Sequence, residues 1–212
     1  MTLLAMAGVA VLLAGPVRAQ GGEPVKVVAF GDSLTAGYGL PAQDTFPAKL
    51  QAALSARGHK VEIENAGVSG DTASGGLSRL DWSIPDGTDA VIVELGANDM
   101  LRGVDPKVTR QALDDILAAL TARNIPVLLA GMRAAPNMGA DYARDFEKIF
   151  ADLAKKYDVV FYPFFLDGVA AQAKLALQDG MHPNAAGIDV IVKNILPKAE
   201  ELVLRAKKRA PS

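Results

Sequence analysis

The chain has 212 residues, with 22 Lys+Arg against 24 Asp+Glu, a net charge of −2 and no cysteine. Near-balanced charge gives no electrostatic case for a nucleic-acid partner. The absence of cysteine excludes disulfides, zinc–thiolate sites and a lipidated N-terminal cysteine, and the length suffices for one domain with a substantial core.

In chain order, residues 3–14 come first as an apolar run, too short for a bilayer span of about 20 residues. Val17-Arg18-Ala19 follows, a small-x-small pattern. Residues 1–19 are therefore expected to be a secretory signal cut before Gln20, and residues 20–212 a single domain. Met1-Thr2 supplies no basic residue, and a buried N-terminal helix is the alternative. On the signal reading the mature protein is periplasmic or secreted, with no stable membrane insertion.

Beyond Gln20 short apolar runs alternate with longer amphipathic ones, the pattern of β-α units around a parallel sheet. A first strand is predicted over Val25–Phe30. It leads into Gly31-Asp32-Ser33-Leu34 and on to Gly39, which puts a serine inside a glycine-rich turn. That turn has neither the Lys-Ser/Thr of a phosphate-binding loop nor a Gly-x-Gly-x-x-Gly pattern. It also lacks the Gly-x-Ser-x-Gly elbow, because Thr35 stands where the second glycine would be. A helix over Pro47–Arg57 and a strand over Val61–Asn65 follow, with His59 between them as a solvated surface histidine.

The second strand runs into Asn65-Ala66-Gly67-Val68-Ser69-Gly70-Asp71-Thr72, and a third over Ala90–Leu95 runs into Gly96-Ala97-Asn98-Asp99. The helix predicted over Pro106–Arg123 repeats Leu113, Ile116, Leu117 and Leu120 on one face. A strand over Pro126–Ala130, a helix over Tyr142–Tyr157, a strand over Val159–Phe161 and a helix over Ala185–Lys207 complete the series. The expected fold is α/β: three layers, α/β/α, around a parallel five-stranded sheet, flavodoxin-like. Ser33, Gly70 and Asn98 each follow a predicted strand, where open parallel sheets bind ligands.

A serine hydroxyl needs a neighbouring base to become a nucleophile, and histidine titrates near neutral pH. The chain has two histidines; His182 lies in Asp179-Gly180-Met181-His182-Pro183-Asn184, three residues after a carboxylate. His182 could take the proton of Ser33 while Asp179 holds the other ring N–H. Each also has a plainer reading: Ser33 as a turn or cap serine, His182 as a loop histidine before proline, Asp179 as a turn cap.

The four blocks, Gly31-Asp32-Ser33-Leu34, Asn65 to Thr72, Glu94-Leu95-Gly96-Ala97-Asn98-Asp99 and Asp179 to Asn184, occur in order. Together they resemble the SGNH (GDSL) hydrolase superfamily, in particular its thioesterase I, arylesterase and lysophospholipase L1 branch. The resemblance covers about Val25 to Leu204. It implies Ser33 as nucleophile, His182 as general base and acid, and Asp179 as its partner. It further implies an oxyanion hole made by the Ser33 and Gly70 N–H groups and the Asn98 amide, donors of the kind that stabilise a developing tetrahedral anion.

Asp32, Asp71 and Asp99 read as turn-stabilising acids; a metal site is the weaker reading, so neither metal nor organic cofactor is expected. Tyr38 and Trp82 could line an acyl or aryl pocket, and the Ala134–Tyr142 segment could border it. Aromatic content of 6% gives little support for a sugar-stacking groove. Lys193, Lys198, Arg205, Lys207, Lys208 and Arg209 read as the solvated side of the last helix rather than a membrane contact. The expected function is a secreted serine esterase acting on small-molecule acyl or aryl esters through an acyl-enzyme. The family branch brings acyl thioesters and lysophospholipids into range. The alternatives are a carbohydrate O-acetyl esterase and a non-catalytic lipid- or glycan-binding protein.

Overall fold

The first strand, β1 (Val25–Gly31), is buried along nearly its whole length, as are β3 (Ala90–Glu94) and β4 (Val127–Ala130). Strands that are apolar on both faces need cover on both faces, and this is why they form a parallel sheet between helical layers rather than a one-sided antiparallel one. The structure, a computed structural model, describes residues 23–209. The expected signal over residues 1–19 lies outside the described residues.

With β2 (Val61–Gly67) and β5 (Val160–Tyr162) the sheet has five strands in the order β2-β1-β3-β4-β5, every pair parallel. This is the flavodoxin-like doubly wound order, with its direction of winding reversed between β1 and β3. One helical layer is formed by α2 (Phe46–Ala56) and α8 (Ala185–Arg209), which pack on each other. The other is formed by α3 (Ala73–Ser78), α6 (Pro106–Ala122) and α7 (Ala140–Tyr157), joined through α6. The predicted face of α6 is the buried one: Leu113, Ile116, Leu117 and Leu120 are fully covered.

Strand ends differ from expectation by a residue or two. β1 and β2 both run on to the edge of the active loops, because Gly31 still pairs with Gly67. Helix α7 starts at Ala140, ahead of Tyr142, because Gly139 at φ +85° supplies the backbone that turns the chain into it. Three short helices that flank the loops, α1 (Ser33–Ala36), α4 (Leu80–Ser83) and α5 (Ala97–Leu101), were not predicted, nor was α3. They have four to six residues each, too few for a periodic signal. The basic residues of α8 are solvated or paired: Lys198 and Arg205 both meet Glu201 at 3.0 Å, and Arg205 and Arg209 also reach the Asp158 and Arg123 carbonyls. Among the described residues no helix is long and apolar enough to cross a membrane.

Candidate active site

Asp32 caps α1, accepting the Leu34 N–H at 3.0 Å, and so fixes Ser33 as the first helical residue at the C-terminal edge of β1. Gly31 is obligatory there. A Cβ would lie 2.1 Å from Thr35 Oγ1 and 2.6 Å from the Glu94 carbonyl oxygen. Ser33 Oγ lies 3.0 Å from His182 Nε2, and His182 Nδ1 lies 2.6 Å from Asp179 Oδ2. The structure thus brings together three residues that the sequence places at opposite ends of the chain.

Asp179 Oδ1 accepts the backbone N–H groups of His182 (3.0 Å) and Met181 (2.9 Å). Those two bonds, followed by the imidazole contact, hold the Asp179 carboxyl down at about 2. An ionised carboxylate only accepts, so His182 Nδ1 carries the hydrogen and Nε2 presents its lone pair to the Ser33 hydroxyl. The loop is clamped from behind. Leu177 N–H donates to the His182 carbonyl at 2.7 Å, and Asn184 donates its amide to the Lys174 and Ala176 carbonyls while capping α8 through Gly187 N–H. Tyr38 lies against the imidazole with ring centroids 4.5 Å apart.

Gly70 sits at φ +87°, a backbone conformation that other residues rarely adopt, and its carbonyl accepts Arg102 Nη2 at 2.6 Å. Asn98 donates through Nδ2 to Asp32 Oδ2 at 3.2 Å. Ser33, Gly70 and Asn98 line one cleft with His182. Behind the loops, Arg79 is 5% exposed and ties their bases together. It pairs with Asp71 through Nε at 2.5 Å and donates to the Gly31 and Ala66 carbonyls at 2.9 Å each. Asp99 instead accepts Ala73 N–H and the Thr109 hydroxyl. Asp32, Asp71 and Asp99 therefore have separate partners, and among the described residues no group of three acidic, histidine or cysteine side chains is placed to hold a metal.

Glu94 was not singled out from the sequence. Wholly buried at the end of β3, it accepts the Thr35 hydroxyl at 2.7 Å on Oε2, while Oε1 has no partner. Burial first, and then the charge of Asp32, push its carboxyl well above the ordinary range. Burial also raises Asp32, against the opposing hydrogen bonds from Leu34 and Asn98. Glu94 is wholly buried and leaves one oxygen unpartnered, whereas Asp32 accepts N–H groups from Leu34 and Asn98, so burial bears more heavily on Glu94.

The cleft measures about 640 Å³ and is predominantly apolar, with Leu34, Met100, Met132, Pro136, Phe164 and Leu166 in its wall. Ala134 to Pro136 border it, and so does Tyr38, as expected; Trp82 does not, being 74% exposed on α4. Its short helix turns it to solvent, away from the wall. A serine hydroxyl within hydrogen-bond reach of an imidazole that a carboxylate holds, on a predominantly apolar cleft, is an arrangement suited to acyl transfer.

The family model described as "GDSL-like Lipase/Acylhydrolase family" matches residues 29–190. The chain is 36% identical over 179 residues to an arylesterase of Vibrio mimicus, covering 84% of this chain and 88% of that one. It is 40% identical over 155 residues to the thioesterase 1/protease 1/lysophospholipase L1 of Escherichia coli K12, covering 73% of each. The crystal structure of AlinE4, an SGNH-hydrolase family esterase, superposes with a TM-score of 0.73 at 45% identity, covering 90% of this chain and 99% of that one.

Proposed function

The chain belongs to the GDSL-like lipase/acylhydrolase family, a family of ester hydrolases, and from that premise we propose a serine esterase that works through an acyl-enzyme on Ser33. The observation that carries this reading is the Asp179–His182–Ser33 chain at 2.6 and 3.0 Å, opening onto an apolar cleft. His182 Nε2 takes the Ser33 proton as Oγ attacks the ester carbonyl, and Asp179 stabilises the imidazolium that forms. The N–H groups of Ser33 and Gly70 and the amide of Asn98 stabilise the oxyanion. His182 then protonates the leaving alkoxide or thiolate. In the second half it activates water, which releases the acid and returns the proton to Ser33.

The apolar wall supports acyl or aryl esters over polysaccharide acetyl esters, and thioesters belong to the same chemistry. We also propose export through the residue 1–19 segment to the periplasm or beyond; the N-terminal sequence of protein recovered outside the cytoplasm checks this, with Gln20 first. The activity is tested with p-nitrophenyl esters from acetate to palmitate and one acyl thioester. Wild type should turn over at least part of the series, and folded Ser33→Ala should be inert and unlabelled by a fluorophosphonate. A folded wild type that neither hydrolyses nor labels would leave a binding protein as the better reading.

A further inference from the structure

Arg133 stands alone among the arginines of the described residues. Every other one is engaged: Arg57, Arg110 and Arg144 with carboxylates, Arg79, Arg123 and Arg205 with carboxylates and carbonyls, Arg102 and Arg209 with carbonyls. Arg133 has no hydrogen-bond or ion-pair partner among those residues, and it is the one arginine in the wall of the Ser33 cleft. Apart from His182, no other side chain lining that cleft can carry charge at neutral pH.

The guanidinium is also held in place. Its Cζ lies over the Phe164 ring, another wall residue, 4.9 Å from the centroid, while its N–H groups have no partner among the described residues. A guanidinium offers five donors in a fork that fits a carboxylate or phosphate, and stacking on a ring removes part of the ordering cost of using it. Arg133 is exposed, so its guanidinium meets solvent as well as the predominantly apolar cleft. The apolar interior suits the acyl chain. The leaving group, which must depart into water, belongs where the wall meets solvent.

We propose that Arg133 forms an anion subsite for the leaving group, so that the preferred substrates are acyl esters or thioesters whose alcohol or thiol portion carries a carboxylate or phosphate. This rests on the esterase reading above.

The test compares wild type, Arg133→Ala and Arg133→Lys on p-nitrophenyl butyrate and its analogue with a carboxylate on the nitrophenyl ring. A second pair, p-nitrophenyl valerate and the mono-p-nitrophenyl ester of glutaric acid, puts the charge on the acyl side instead. The readout is the ratio of kcat/KM between the anionic and neutral member of each pair, at low and at moderate salt. For the ring-carboxylate pair Arg133→Ala should lower the ratio about tenfold, the lower end for a charge-assisted hydrogen bond at an exposed site. The loss should fall mainly in KM, shrink as salt rises, and be partly restored in Arg133→Lys. An unchanged ratio in an active Arg133→Ala enzyme overturns the subsite. A fall confined to the glutarate pair overturns its assignment to the leaving group. A wild type inert to all four esters overturns the esterase reading itself, and this one with it.

Discussion

Asn98 has two amide hydrogens, and one of them is committed to Asp32. That commitment restricts where the second can point, so on the proposed reading of Asn98 as an oxyanion donor the buried Asp32 acts through Asn98 rather than directly. Asn98→Ala should lower kcat by about 10²–10³-fold with KM little changed, the usual cost of losing one oxyanion donor. Asp32→Asn keeps one acceptor oxygen for two N–H groups and should also lower kcat. In the Asn98→Ala background, however, it should cost little more, since the group it orients is gone. Full additivity in steady-state rates of the folded double variant would count against the coupling. Asp179 obeys a different logic. Held down at about 2 by two backbone N–H groups and the imidazole, it stays ionised through any working pH and fixes the His182 tautomer. Asp179→Asn can offer an N–H where the ring needs an acceptor, and should cut kcat about 10³–10⁴-fold at neutral pH. A loss under tenfold, measured on folded protein, would mean that the backbone clamp alone orients the ring.

The loops that carry these side chains depend on their strands and short helices meeting at fixed heights. Arg79 fastens three of those elements: its guanidinium spans the carbonyl of Gly31 on β1, that of Ala66 on β2 and the Asp71 carboxylate ahead of α3, with its face 4.2 Å from the Phe30 ring. Removing one partner of a mostly buried pair leaves charge and carbonyls without partners, at a cost of about 3–5 kcal/mol. Arg79→Met should therefore unfold at markedly lower urea, and a midpoint within error of wild type would refute that account. The long elements and the four loop blocks are legible in the sequence because each block carries glycine and three of them follow a strand, the fourth standing ahead of the last helix. Arg79, Arg102 and Glu94 are not. Arg79 reaches the Gly31 carbonyl 48 positions away, Arg102 the Gly70 carbonyl 32 away and Glu94 the Thr35 hydroxyl 59 away, contacts that leave no pattern in the residues between. The same holds for Arg133, which is marked out by its place in the cleft wall beside Phe164 and by having no hydrogen-bond partner among the described residues.

At the scale of the whole molecule, the buried acid at the end of β3 couples stability to pH. Glu94 has a folded pKa well above its ordinary value of 4.5, with burial the main cause and the charge of Asp32 the second. The folded chain therefore holds this proton more tightly than the unfolded chain. The corresponding stability is complete below the ordinary value and drains away as pH rises toward the folded one, at up to about 1.4 kcal/mol per pH unit. A glutamine has the shape of the protonated acid and no charge to lose. Against wild type, Glu94→Gln should be close to neutral near about pH 4 and increasingly more stable as pH rises. The gain stops once wild-type Glu94 ionises in the folded state. Asp32, raised to about 6 by its own burial, is present in both proteins, so its share largely cancels in the difference. Urea denaturation at stepped pH measures that difference directly. Parallel stability curves would mean that Glu94 finds a charge partner when folded, and that the unpaired Oε1 is not the protonated end of a neutral acid.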